Sequence, residues 1–386
     1  MLHAHAAFDD LPRPAPEALA HSARLSALMR TEIAAAGGTL GFERYMELAL
    51  YAPGLGYYSA GSRKFGAAGD FVTAPEISPL FGACLAVQCA EVLAATGGGI
   101  LELGAGSGRM AADILNELAR RGALPGEYLI LEVSADLRGR QHATIAERAP
   151  SLLERVRWLE RLPEQFTGVI LGNEVLDALP VARFRRAARG FEEVRVAERN
   201  GKFIWQRTPA AEPLQAALTA LEASLPEPFA TDYCSEICPR LPAFIHALAD
   251  SLARGGLLLV DYGYPRTVYY LPDRHRGTLM CHYRQRAHDD PFLYPGLEDI
   301  TAHVDFTTVA EAGTEAGLEL AGYTPQAQFL LALGIAERAV NLAAAREVKL
   351  LTLPEEMGER FQAIGFVRGL ARPLRGFSLR DRSHTL

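Results

Sequence analysis

The stretch Ile100-Leu-Glu-Leu-Gly-Ala-Gly-Ser-Gly108 joins a short apolar run to three glycines at alternate positions. The segment Arg109–Leu118 that follows carries its apolar residues at helical spacing. A strand that turns on glycine straight into a helix opens its main chain to close approach by a ligand. A second apolar run, Tyr128–Val133, contains Glu132, and further strand-like runs fall at Val156–Leu159, Gly168–Gly172 and Leu257–Val260. Helical patterns occupy Ala135–Glu147 and Leu241–Ala253. Short, nearly all-apolar strands alternating with helices are the pattern of a parallel sheet covered on both faces. The expected fold class is therefore α/β, a doubly wound, mostly parallel Rossmann-like sheet with its ligand crevice at the carboxyl ends of the strands.

With 386 residues, 49% of them hydrophobic, the chain can bury a full core in one large domain or two. We expect an N-terminal helical and lid segment over 1–98 and a main α/β domain over 99–386, interrupted by an insertion at about 183–239. Helices fit Pro16–Ala36 and Gly41–Leu50, followed by a glycine- and aromatic-rich loop over Tyr51–Ile77. Ser78 and Pro79 start a further helix to about Leu93, the hydroxyl as cap and the proline in the first turn. In the insertion, Asn200-Gly201 between the alternating stretches of Glu192–Arg207 predicts a hairpin, and a helix falls near Leu214–Leu225. Thr308–Glu311 reads as a capping box opening a helix, and Asn341–Arg346 as helical.

The balance of 39 Lys+Arg against 46 Asp+Glu, a net charge of −7, argues against broad nucleic-acid binding. The five cysteines are not at metal-ligand spacing, so no metal is expected, and reduced thiols suit a cytoplasmic protein. No apolar run approaches the roughly 18–20 residues of a spanning helix, so no membrane partner is expected. Met1–Pro16, with Asp9, Asp10 and three prolines, lacks the blocks of a secretory signal.

The glycine turn is spaced Gly-x-Gly-x-Gly, at Gly104, Gly106 and Gly108, and Arg109 stands where a dinucleotide turn carries its third glycine. Glu102, just before the turn, would oppose a pyrophosphate and suit a cationic ligand. S-adenosylmethionine, with a sulfonium, an ammonium and no phosphate, meets both conditions better than a nicotinamide dinucleotide. Glu132 would accept hydrogen bonds from its ribose hydroxyls. Asn173, Glu174 and Asp177 follow the Gly168–Gly172 strand, where the crevice should lie. Glu174 and Asp177, about one turn apart, would grip a basic acceptor such as a guanidinium, or simply satisfy free N–H groups at a helix start. Asp70 and Thr73, in Gly69-Asp-Phe-Val-Thr-Ala-Pro-Glu-Ile-Ser78, belong to a lid over the cofactor or to a rigid surface loop. Asp261 and Tyr262 either line the pocket or form a strand-end turn, and His275, His282, His288 and His303 have no partner acid that singles one out.

Gly69–Ser78, Leu101–Gly108, Leu131-Glu-Val-Ser134, Gly172–Val181, Leu259-Val-Asp-Tyr-Gly263 and Asp299–Phe306 occur in the order seen in the MidA-like methyltransferases. From about residue 40 to residue 330 the chain resembles this family, whose members include bacterial relatives of the mitochondrial complex I assembly arginine methyltransferase. The resemblance implies a class I methyltransferase fold with an N-terminal lid and S-adenosyl-L-methionine as cofactor. It also implies methyl transfer to a protein substrate, on arginine, with a link to respiratory complex I assembly. Asp70, Thr73, Glu102, Gly104, Gly106, Gly108 and Glu132 are then the expected cofactor residues, and Asn173, Glu174 and Asp177 the expected catalytic ones. Gly-Ala-Gly-Ser-Gly stands here where many relatives carry Gly-Pro-Gly-Arg-Gly. A small-molecule methyltransferase, or a non-catalytic assembly factor that keeps the cofactor fold, are the competing readings.

Overall fold

The computed structural model describes residues 11–59, 73–370 and 374–386. The central sheet is built from Gly99–Leu103 (β1), Tyr128–Leu131 (β2), Val156–Leu159 (β3), Phe166–Asn173 (β4), Leu252–Tyr264 (β5), Glu319–Pro325 (β6) and Phe361–Arg368 (β7). Their order across the sheet is β3-β2-β1-β4-β5-β7-β6, and Val304–Asp305 pairs with the end of β5. Strands β1 to β5 pair in parallel, and β7 runs antiparallel to both neighbours. The chain leaves β1 outward to β2 and β3, then returns across β1 to β4. Ligands on such sheets sit at this reversal. The register sets Leu103 beside Gly172 and Asn173 beside Val260, so Gly104, Glu174 and Asp261 emerge side by side.

Successive residues of the buried strands point to opposite faces. Ile100, Val169, Leu171, Leu258 and Val260 pack under Pro79–Thr96 and Arg109–Arg120, while Leu101, Leu103, Ile170, Leu257 and Leu259 pack under Leu241–Ser251 and Phe306–Glu315. Pro79–Thr96 begins as expected, with Leu80 N–H donating to Ser78 Oγ at 3.1 Å, and ends at Gly97 in the left-handed conformation. Contrary to the expectation that no run is of spanning length, it is long and apolar enough, by length and composition, to cross a membrane. Its Phe81, Leu85 and Val92 lie instead in the core against the sheet. The helix expected to open at Thr308 starts at Phe306 instead. Asp305 caps it, accepting from Thr307 N–H at 3.0 Å and Thr308 N–H at 3.3 Å, while Glu311 pairs with Arg266.

The insertion carries the predicted hairpin, Phe191–Arg199 and Lys202–Pro209. It turns through Asn200 and Gly201 at φ of 53° and 78°, the backbone that Asn-Gly favours. Ala182–Arg186, Cys234–Ile237 and the N-terminal Thr39–Leu40 complete this antiparallel sheet. The N-terminal segment is thus stitched to the insertion, whereas Pro79–Thr96 is part of the main core. A small sheet of Met280–Tyr283, Arg286–His288 and Asp299–Thr301 was not read from the sequence, because strands this short carry too little alternation.

Candidate active site

The glycine turn at the end of β1 holds Gly104 and Gly106 at φ of 57° and 53°, where a side chain would be strained. Gly104 N–H donates to Leu131 O at 3.1 Å and ties the turn to β2. Gly108, also left-handed at φ of 85°, has a further reason to be glycine: a Cβ there would lie 2.9 Å from the Cα of Gln141, so it lets two helices meet. Gln141, which sequence reading missed, is the link between turn and acid. Its Nε2 donates to Gly106 O at 3.2 Å and to Glu132 Oε2 at 2.9 Å, and its Oε1 accepts from Trp158 Nε1 at 2.9 Å. The available signal was a glutamine between Leu137 and Ile145 on the buried stripe of Ala135–Arg148. Glu132 also accepts from Ser134 N–H at 2.9 Å and is held at the carboxyl end of β2, as expected.

Glu102 departs from the expectation. Alternation along β1 turns it to the Ile100 face, beneath Pro79–Thr96, where it is 0% exposed and accepts a hydrogen bond from the Tyr128 hydroxyl. Burial pushes its carboxyl up to about 7. The structure therefore sets Glu102 under the turn and not on the crevice surface. Asp70 lies outside the described residues. Thr73 precedes the short helix Ala74–Ile77, and its carbonyl accepts from Glu76 N–H and Ile77 N–H. The side chain that fastens this segment to the glycine turn is Glu76, an acid of the Gly69–Ser78 motif that is not among the expected site residues. It accepts from the Ser107 hydroxyl and from Arg109 Nη1 at 3.0 Å. Ser107, where many relatives carry arginine, and the neighbouring Arg109 are thus tied together through one carboxylate.

Beyond β4 the expected helical spacing of Glu174 and Asp177 gives way to a tight turn. Asp261, at the level of this turn on β5, organises it. Its Oδ2 accepts from the N–H groups of Val175 (3.1 Å), Leu176 (2.8 Å) and Asp177 (3.3 Å), and its Oδ1 from Tyr262 N–H (2.9 Å). Glu174 takes a left-handed φ of 52°, and its N–H donates to Val260 O at 2.9 Å. A left-handed glutamate costs of order 1–3 kcal/mol, a strain that surrounding bonds must hold.

The turn still brings both carboxylates together. Asn173 Nδ2 donates to Glu174 Oε1 at 2.9 Å, and the Tyr262 hydroxyl donates to Asp177. Glu174 keeps an open edge on the crevice although protein surrounds it. Burial and the neighbouring charge of Asp177 push it up to about 8. Burial also raises Asp177, with the Tyr262 hydroxyl opposing the shift. Burial and the carboxylates of Asp177 and Glu174 press Asp261 the same way, while main-chain N–H groups, all donating, favour its ionised form. His303 lies edge-on to Tyr262, and burial lowers it to about 4, so it is neutral near pH 7.

These residues fit a nucleoside cofactor with a basic acceptor beside it. The left-handed glycines keep side chains off the turn, and Glu132 is fixed as an acceptor at the end of β2. Buried Asn173 Oδ1 and Asp177 Oδ1 have no partner among the described residues.

The model of a family of S-adenosyl-L-methionine-dependent methyltransferases matches residues 84–324. The mitochondrial protein arginine methyltransferase NDUFAF7 of Danio rerio is 30% identical over 85% of this chain and 83% of its own length. The human protein of that name is 29% identical over 84% and 79%. A Burkholderia thailandensis protein solved bound to S-adenosyl-homocysteine is 48% identical, with a TM-score of 0.92 over 98% of this chain and 100% of that one. A chain that shares its whole fold with a protein holding the spent methyl donor, and whose family match spans the switch point of its sheet, belongs to the S-adenosyl-L-methionine-dependent methyltransferases.

Proposed function

We propose that the protein methylates an arginine side chain of a protein substrate. The observation that carries this reading is the pairing of half-buried Glu174 with buried Asp177 beside the glycine turn, two carboxyl groups that a planar cation would satisfy. The printed names of the Danio and human relatives support it. Glu132 would hold the ribose hydroxyls, and Gly104 and Gly106 would let the main chain approach the cofactor. When bound, S-adenosylmethionine supplies a methyl group already activated by its sulfonium. The acidic pair would hold the guanidinium in line and draw its charge away from the attacking nitrogen. As the N–C bond forms and the methyl–sulfur bond breaks, with a neutral thioether leaving, that nitrogen would release a proton for one of the two carboxylates to accept.

Because Glu174 sits near 8 in the free enzyme, it is mostly protonated at pH 7. A bound cation lowers that value, so acceptor binding expels a proton. Acceptor affinity should therefore rise with pH, by up to about tenfold per unit, and level off above about pH 8. KM measured between pH 6 and 9 should fall along this curve in the wild type and lose the slope in Glu174→Gln.

Glu76→Ala removes the bonds to Ser107 and Arg109. A bond to a charged group contributes about 1.5–3 kcal/mol, so S-adenosyl-homocysteine should bind about tenfold more weakly by calorimetry. An unchanged affinity would mean that this clasp does not shape the cofactor site.

The substrate class is tested by incubating extracts of a deletion strain with the purified protein and methyl-labelled S-adenosylmethionine, then sequencing labelled peptides by mass spectrometry. Label on arginine supports the proposal; label confined to small molecules overturns it in favour of a small-molecule methyltransferase. The five free cysteines are consistent with a reducing compartment, and we place the protein in the cytoplasm, a reading that fractionation of the tagged chain checks.

A further inference from the structure

The acceptor side of the crevice is walled by side chains from outside the parallel sheet. Tyr51 closes the helix Phe42–Tyr51 and Tyr58 lies just beyond it, their rings stacked at 5.5 Å and 22°. The Tyr51 hydroxyl donates to Ala178 O at 2.9 Å, next to Asp177. The Tyr58 hydroxyl donates to Asp299 Oδ1 at 3.0 Å. Asp299 opens a strand of the small sheet and is 2% exposed. Its charge bears on Glu174 and on Tyr51, and that of Asp177 bears on both as well.

Asp177 and Asp299 thus both place negative charge on Glu174, which favours a cation at this edge of the crevice. Each aspartate is steadied by a phenol, Asp177 by Tyr262 and Asp299 by Tyr58. Asp177, 6% exposed, keeps Oδ1 without a partner among the described residues. Tyr51, backed by Tyr58, remains 37% exposed.

Building on the arginine reading, we propose that Tyr51, Tyr58 and Asp299 are the specificity wall of the acceptor site. Asp299 is a third carboxylate toward the acceptor cation, Tyr58 is the positioning residue that holds it, and the open face of Tyr51 receives a planar group. A guanidinium is flat, weakly hydrated and rich in N–H donors, so it can lie on a phenol ring while bonding to carboxylates at its edge. An ammonium is a compact, strongly hydrated point charge and gains less from the ring. The wall therefore selects arginine over lysine, and it is built by the N-terminal segment and the small sheet together.

The test uses the full chain loaded with S-adenosyl-homocysteine and titrated with the N-acetyl amides of arginine, lysine and citrulline. The wild type should bind the arginine amide at least about tenfold more tightly than the other two. Tyr51→Leu and Asp299→Asn should weaken that binding by about five- to twentyfold, and Tyr58→Phe by less, with S-adenosyl-homocysteine affinity within about twofold as the control for folding. In turnover assays, Tyr51→Leu and Tyr58→Phe should raise KM for an arginine peptide while kcat changes little. If Tyr51→Leu and Tyr58→Phe bind the arginine amide as the wild type does, while Glu174→Gln binds it more weakly, the wall is wrong and the arginine reading stands. A wild type that does not prefer arginine amide to citrulline or lysine amide overturns both. Should Asp299→Asn lose S-adenosyl-homocysteine binding, the two tyrosine variants decide.

Discussion

Glu174→Gln and Asp177→Asn are each expected to slow methyl transfer by at least about a hundredfold while leaving S-adenosyl-homocysteine affinity within about threefold of wild type. Both substitutions keep the shape of the side chain and remove its charge. The glycine turn, Glu132 and Gln141 do not depend on either carboxylate, so the cofactor side should survive. The acceptor side loses both a charge partner for the guanidinium and a place for the departing proton. A non-catalytic docking role predicts instead that a chain carrying both Glu174→Gln and Asp177→Asn keeps the wild-type cellular phenotype.

Stability separates loss of chemistry from loss of fold. A carboxyl raised from 4.5 to about 8 by folding contributes its stability in full below about pH 4.5 and loses it as pH rises through 8. The ionised Glu174 above pH 8 is thus a burden on the fold that glutamine does not carry. Melting curves at pH 6 and pH 9 should show Glu174→Gln close to or above the wild type, with its advantage larger at pH 9. A variant that is inactive and less stable at both pH values would point to a structural role instead.

Asp261→Ala is expected to destabilise the protein by about 3–5 kcal/mol, the largest effect among the crevice residues. Its carboxylate accepts from main-chain N–H groups of Val175, Leu176, Asp177 and Tyr262, and alanine would leave those donors buried without a partner. Together with the bond from Glu174 N–H to Val260 O, these four bonds hold the turn that keeps Glu174 in its left-handed conformation. Urea unfolding at pH 7 gives the loss directly. Asp261→Asn, which keeps one acceptor oxygen but turns an NH2 toward these donors, should fall between alanine and the wild type. An alanine variant as stable as the wild type would show that the turn is held from elsewhere.

The parts of this protein that were legible in its sequence are those whose causes are local. The strands β1 to β5 announce themselves as short apolar runs, Ser78-Pro79 as a helix start and Asn200-Gly201 as a hairpin, because each depends on backbone preferences of adjacent residues. The glycine turn, with Glu132 at the end of the next strand, was enough to place the crevice and suggest its nucleoside. Even there the local signal had limits. Period-two alternation on a fully buried strand does not say which face is which, and the sheet turns Glu102, expected on the crevice, underneath it.

What only the tertiary structure decided rests on distant contacts. Tyr58 meets Asp299 across 241 positions and Tyr51 meets Ala178 across 127, and no local propensity encodes either meeting. Glu76 acquires its role from Ser107 and Arg109, and Asp261 from a turn 84 to 86 positions earlier. By itself the sequence determined a parallel α/β sheet with a cofactor turn at the end of β1. The packing of the N-terminal segment and the small sheet decided what stands beside that crevice, because the balance of buried charge, hydroxyl donors and ring face exists only once these separate segments share one space.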